Sequence, residues 1–397
     1  MRKLSDVFKE DSKYKPLFLS ILTFSLGCGL YQGVISNYLA EIVGVEEFDR
    51  GVIEFFRELP GLALVLLLAV FYMLSAESIF KLGALVMLGG MAMHAVLPPD
   101  KVLVTIAIFV FSLGEHMQLG MKSTLTLEYS KPGRGGEALG LQSSVNHIGT
   151  LISYLAVAGL FLLVSETQAS FKGVFWAAFV VIALGTLAGT KLTGKSAADK
   201  NKSRFYFNKK YTKYYFLEVF YGARKQVFMT FGPYVLILFY GASTTAISLL
   251  FAISAVCCFI ASPWVGRIID KLGYKVVMIS DTIILVVVCF FYGFAHHIFP
   301  HNVAYIVCCV NYILDSVISL ASMASNVYVQ DLSDSDDEVR ATISTGISVN
   351  HLITILIALF GGWIWKTLGM EILFILSAVL GLCNSAYAAT IKLPNKS

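Results

Sequence analysis

Charge is what this sequence has least of: Asp, Glu, Lys and Arg make up 14% of its 397 residues. A chain so poor in charge cannot clothe an ordinary soluble domain. With 57% hydrophobic residues and a mean hydropathy of +0.73, it reads as a polytopic membrane protein. The net charge of +4 is small and the basic residues gather at the edges of apolar runs, which excludes nucleic acid as an expected partner. No Walker loop, H-E-x-x-H or nucleophile elbow is present, so neither ATP drive nor hydrolysis has support, and neither an enzyme nor a cofactor is expected. The seven cysteines all fall in apolar runs and form no C-x-x-C pair, which points to packing and not to disulfides or metal. A cleavable signal is not expected either: Met1 to Pro16 is charged, and the apolar run after it is long enough to span.

What the sequence has instead is apolar runs of about 20 residues, the length that crosses a bilayer as helix. They predict helices near 17–40, 51–75, 79–97, 102–129, 137–164 and 171–190. Six more follow near 212–240, 244–265, 276–296, 303–330, 341–365 and 370–391. The fold class expected is therefore an all-α membrane protein of twelve transmembrane helices in two six-helix bundles, 1–190 and 214–397. Between them lies a basic linker, 191–213, with eight Lys and Arg against the single acid Asp199. The tails, the linker and alternate loops hold 22 of the 30 Lys and Arg, while the opposite loops hold only Arg50, Lys101, Lys172 and Lys366. By the positive-inside rule both termini are expected in the cytoplasm of a multi-pass cell-membrane protein.

One motif occurs twice. Ser144-Val145-Asn146-His147 returns as Ser348-Val349-Asn350-His351, 204 residues later and close to half the chain, with Thr150 and Thr354 at the same offset. A repeated polar motif inside membrane-type helices predicts two similar halves. The loop between the eighth and ninth helices, Gly266-Arg267-Ile268-Ile269-Asp270-Lys271-Leu272-Gly273-Tyr274-Lys275, resembles the signature loop of the major facilitator superfamily. Gly266, Asp270, Lys271, Gly273 and Lys275 match it, whereas the corresponding stretch Ser75 to Lys81 lacks its Gly and Asp. The segments Glu54 to Gly61 and Gly222 to Gln226 look like sequence blocks of a bacterial branch of that superfamily. The resemblance implies a transporter that works by alternating access, with a midplane site between two bundles and with helices 1, 4, 7 and 10 lining it.

Candidate site residues follow from ionisable and polar groups where hydrocarbon should lie. Glu115 and Asp315 sit near the middle of the fourth and tenth helices, so burial could keep them neutral long enough to carry a proton. Each could equally be a structural acid. His147 and His351 are proton-coupling candidates by their ordinary pKa, or helix-packing residues. Arg224 and Lys225, mid-way along the seventh helix, could meet an anionic solute or neutralise Glu115 or Asp315. Tyr31, Gln32 and Asn37 give the first helix a polar face that could hydrogen-bond a solute, and Asn146 and Asn350 are solute contacts or packing glue. Glu54, Arg57 and Glu58, with Arg50, share a helical face as an outer gate or an ion-pair ladder. Gly266, Asp270, Gly273 and Arg340 are further gating candidates. His296, His297 and His301 are expected in an ordinary outer loop, with no metal.

The expected function is secondary active transport of a small polar or anionic organic solute, coupled to protons, by a monomer in contact with membrane lipid. An efflux pump for amphipathic drugs is the alternative within transport, suggested by the 13% aromatic content. A receptor or lipid-handling membrane protein on the same fold is the alternative outside it.

Overall fold

In the computed structural model the described backbone covers residues 7–70, 74–132, 134–193 and 207–391, with side chains except at 63–70, 120, 136, 336, 337, 340 and 344. Most of the expected linker and the side chain of Arg340 thus lie outside the described residues. Among those described, structure is almost entirely helical, with one isolated bridge between Phe8 and Ser130.

The helices of the first half are α1 (Tyr14–Asn37), α2 (Glu47–Val70), α3 (Ala76–Val96), α4 (Lys101–Tyr129), α5 (Gly135–Phe161) and α6 (Gln168–Gly189). The second half has α7 (Thr212–Leu238), α8 (Thr244–Leu272), α9 (Tyr274–Ile298), α10 (His301–Ile318), α11 (Met323–Leu332), α12 (Asp336–Leu368) and α13 (Met370–Ala389). Some of their starts carry ordinary N-caps. Asp100 accepts from the amides of Val102 and Leu103, Ser335 from that of Glu338, and Thr167 with Ser170 forms a capping box. Among the described residues, ten helical stretches are long and apolar enough to cross a membrane. The two expected spans not among them are α2 and α7, into which Glu54, Arg57, Glu58, Arg224 and Lys225 are built.

Three boundaries differ from expectation. The tenth apolar run is not one helix: α10 stops at Ile318 and a 3₁₀ turn, Ser319–Ser322, leads into α11. The Tyr221 hydroxyl of α7 donates to the Ser319 carbonyl at 2.9 Å, and a side chain entering the backbone ladder is a recognised cause of such breaks. The signature-like loop is also mostly helix, because α8 runs on to Leu272 and only Gly273, at φ 82°, separates it from α9. Only glycine adopts that conformation without strain. Finally, His296 and His297 belong to the last turn of α9, and His301 opens α10, so none sits in a free loop.

The chain divides into two compact units. One comprises Met1–Val45, Leu59–Lys202 and Ser243–Ala252; the other comprises Glu46–Glu58, Ser203–Ala242 and Ile253–Ser397. In the first, α1 packs on α5 and α6, and α3 on α4 and α6. In the second, α7 packs on α12 and α13, and α9 on α10 and α13. The same pairing in each half is what the repeated motif predicts. Small residues set the closest approaches: a Cβ on Gly51 would lie 2.5 Å from the Ala358 carbonyl and 3.0 Å from Gly362. All seven cysteines are free.

Candidate functional site

The second unit concentrates the charge. Three turns of α2 present Arg50, Glu54, Arg57 and Glu58 along one face, as their spacing predicts. Glu54 is 1% exposed and accepts from Arg50 at 2.8 Å and from two nitrogens of Arg57 at 2.9 and 2.6 Å. Gln226 of α7 donates to the same carboxylate at 3.1 Å and also to Thr230 at 2.8 Å. Glu58 pairs with Arg57 and contacts α12 through His351 Nδ1 at 2.9 Å and Thr354 at 3.4 Å. Two carboxylates, two guanidiniums and an imidazole thus form one network where α2, α7 and α12 meet, although the Nε of Arg50 is buried without a partner.

A second polar cluster lies on another face of α7. Arg224 donates through Nη2 to Asp281 of α9 at 2.7 Å, while its Nη1 is buried and has no partner. The guanidinium also stands 5.1 Å from the centre of the Tyr221 ring, and the Lys225 amine stands 6.0 Å from the same ring. The resident partner of Arg224 is therefore Asp281, not Glu115 or Asp315. Asp315 of α10 is 8% exposed and makes no hydrogen bond or ion pair among the described residues, though it feels the charges of Arg224 and Lys225. Glu218 of α7 accepts from Asn350 at 3.2 Å and Ser325 at 2.9 Å. Glu218, Asp281, Ser325 and Asn384 line a small cavity in this unit, and the Oδ1 of Asn384 is buried without a partner.

The first unit is arranged differently. Tyr31 is buried in an aromatic cluster with His94, Phe111 and Phe175, so it does not share a solvent-accessible face with Gln32. Gln32 is exposed and accepts from the Tyr154 hydroxyl at 2.9 Å. Asn37 is buried and donates to Glu41 at 2.7 Å across a π-helical turn, Tyr38–Ile42, that extends α1. Hence the three residues expected on one polar face of α1 have three separate surroundings. Glu115 is half-buried and makes no hydrogen bond or ion pair among the described residues; Cys28, Tyr154 and Lys122 share its electrostatic neighbourhood. Asn146 accepts from Ser25 of α1 at 2.8 Å, whereas His147 is exposed.

Of the remaining gating candidates, Gly266 is helical with open space where a Cβ would stand, and Asp270 is exposed without a hydrogen bond among the described residues. Lys275 donates to the Ile391 carbonyl at 2.7 Å. Asp281 and Glu218 were not singled out from sequence. Their signal was present: each is an acid within a helix of spanning length, the circumstance that drew attention to Glu115 and Asp315.

Helix pairing repeated by halves, among ten described stretches long and apolar enough to cross a membrane, defines a polytopic helical architecture. Residues 214–396 match the family model of the Major Facilitator Superfamily. No curated protein matches the sequence. Among solved structures, the chain is similar to a D-xylose-proton symporter, with TM-score 0.75 and 12% identity over 96% of this chain and 97% of that one. It is similar to the nucleoside transporter NupG, with TM-score 0.71 and 15% identity over 96% and 99%. A POT family transporter in complex with 5-aminolevulinic acid gives TM-score 0.71 and 12% identity over 94% of each chain. The chain thus has the major facilitator fold over nearly its whole length.

Proposed function

We propose that the chain is a secondary active transporter that moves a small polar or anionic organic solute by alternating access, driven by protons, in a cell membrane with both termini cytoplasmic. The observation that carries this reading is that Asp315, buried and without a side-chain hydrogen bond among the described residues, lies in the electrostatic field of a guanidinium only half used by Asp281. A carboxyl in that setting can take up and release a proton as nearby charge changes. The spare Nη1 of Arg224 offers an anion one arm of a fork that lysine cannot reproduce. The similar proteins named above are a D-xylose symporter, a nucleoside transporter and a transporter in complex with 5-aminolevulinic acid, which agrees with a polar organic solute. The charge buried on α2 and α7 argues against a pump selected only for amphipathic drugs, because such a pump gains nothing from an arginine held without full pairing.

The test is uptake into proteoliposomes under an imposed pH gradient, with labelled pentoses, nucleosides and small carboxylates as the panel. Saturable accumulation of one of them is expected. Asp315→Asn should abolish accumulation while leaving exchange of preloaded solute, and Arg224→Lys should weaken apparent affinity by about tenfold or more. No accumulation across the panel overturns transport of this class. Equal loss of accumulation and exchange in a folded Asp315→Asn protein overturns the proton role, and unchanged affinity in Arg224→Lys overturns the anion contact.

A further inference from the structure

Away from these clusters, the end of α9 meets the start of α13 in the second unit. The Nε2 atoms of His296 and His297 lie 3.3 and 3.0 Å from the same oxygen of Glu371. All three ligand-bearing atoms fall within 4.8 Å of one another. We propose that His296, His297 and Glu371 form a binding site for a divalent transition-metal ion of the Zn²⁺ class. His301, the third histidine of the sequence cluster, is not a member; it packs on Tyr240 instead.

The donor set and its spacing carry this assignment. Two ligands at about 2.0–2.1 Å from a metal, at right to tetrahedral angles, stand roughly 2.8–3.4 Å apart. The two His–Glu separations fall in that interval. Two imidazoles with one carboxylate suit borderline metals, whereas Mg²⁺ and Ca²⁺ select all-oxygen sites.

The site is also built. Glu371 lies in the first turn of α13, where the helix N-terminus favours negative charge. Its second oxygen folds over Gly369, where a Cβ would stand only 2.6 Å away, so glycine there makes room for the carboxylate. Gly293 brings α9 against the backbone of Glu371, with an added Cβ 3.4 Å from its Cα. Phe239 holds the His296 ring edge-on at 4.9 Å, and the buried Nδ1 of that ring has no partner, so its one usable nitrogen is aimed at Glu371. His297 is 58% exposed in its side chain, which leaves a path for the ion and positions for water.

Calorimetric titration of the purified full chain with Zn²⁺, after removal of any histidine tag, tests the site. One ion per chain is expected, with no comparable binding of Mg²⁺. His297→Ala and Glu371→Gln should each weaken Zn²⁺ binding at least tenfold, in proteins whose thermal unfolding without metal matches that of the parent. Co²⁺ should give visible bands of a four- or five-coordinate ion, lost in the same variants. Absence of stoichiometric Zn²⁺ binding, or binding unchanged in His297→Ala and Glu371→Gln, overturns the proposal and leaves a hydrogen-bonded cluster only.

Discussion

The two copies of Ser-Val-Asn-His share their letters and their helix position, and then part. On α5, Asn146 meets Ser25 of the first helix, and His147 is exposed. On α12, Asn350 meets Glu218 of the seventh, and His351 is bonded to Glu58. The asparagine keeps one job in both units: it ties the fifth helix of its half to the first. The histidine does not. The helix pairing is the same in both units, while the ionisable chemistry is concentrated in one, around α7, α9 and the first turns of α2.

Three pairs of substitutions press on that contrast. The largest effect is expected at Glu54, whose loss would strand Arg50 and Gln226 in a buried setting. Removing one partner of a buried ion pair costs about 3–5 kcal/mol, so Glu54→Ala should lower the thermal unfolding midpoint sharply or prevent folding. Among the described residues no comparable network ties the first unit, and Glu115→Ala should leave the midpoint almost unmoved. A Glu54→Ala protein as stable as its parent would mean that the network does not hold the second unit together.

A smaller separation is expected between the histidines. His351→Ala should reduce solute accumulation in proteoliposomes at least tenfold and alter its pH profile, while His147→Ala should stay within about twofold of the parent. Equal losses would show that the two copies act alike despite their surroundings. The smallest effect is shared: Asn146→Ala and Asn350→Ala should each destabilise by roughly 0.6–2 kcal/mol, the range of interhelical hydrogen bonds within membranes. Unfolding in detergent measures both, and a large inequality between them would break the idea of one packing role.

The apolar runs made the helices legible because a bilayer-length hydrophobic stretch has few other uses. They did not disclose the break after Ile318, where the Ser319 carbonyl accepts from the hydroxyl of Tyr221, 98 residues away. The ladder from Arg50 to Glu58 could be read because its partners lie one turn apart. That Glu54 also binds Gln226, and that Arg224 finds Asp281, could not: those distances are set by tertiary packing across 172 and 57 residues. The surroundings of Tyr31 are hidden in the sequence for the same reason. A tyrosine beside glutamine and before asparagine looks polar in a string, but the rings of Phe111 and Phe175 surround it in space.

The glycine connectors have a kinematic consequence. Gly273 alone joins α8 to α9, and Gly369 alone joins α12 to α13, with φ of 82° and 92°. A residue reaches only about 3.3–3.6 Å, so the joined ends cannot drift apart or slide by a helical turn. Each pair can change its relation only by pivoting about one α-carbon. Rods hinged in this way convert rotation at the joint into displacement at the far end, in proportion to length. The 33 residues of α12 extend about 50 Å at 1.5 Å per residue, so a tilt of about 10° at Gly369 would carry its distant end nearly 9 Å.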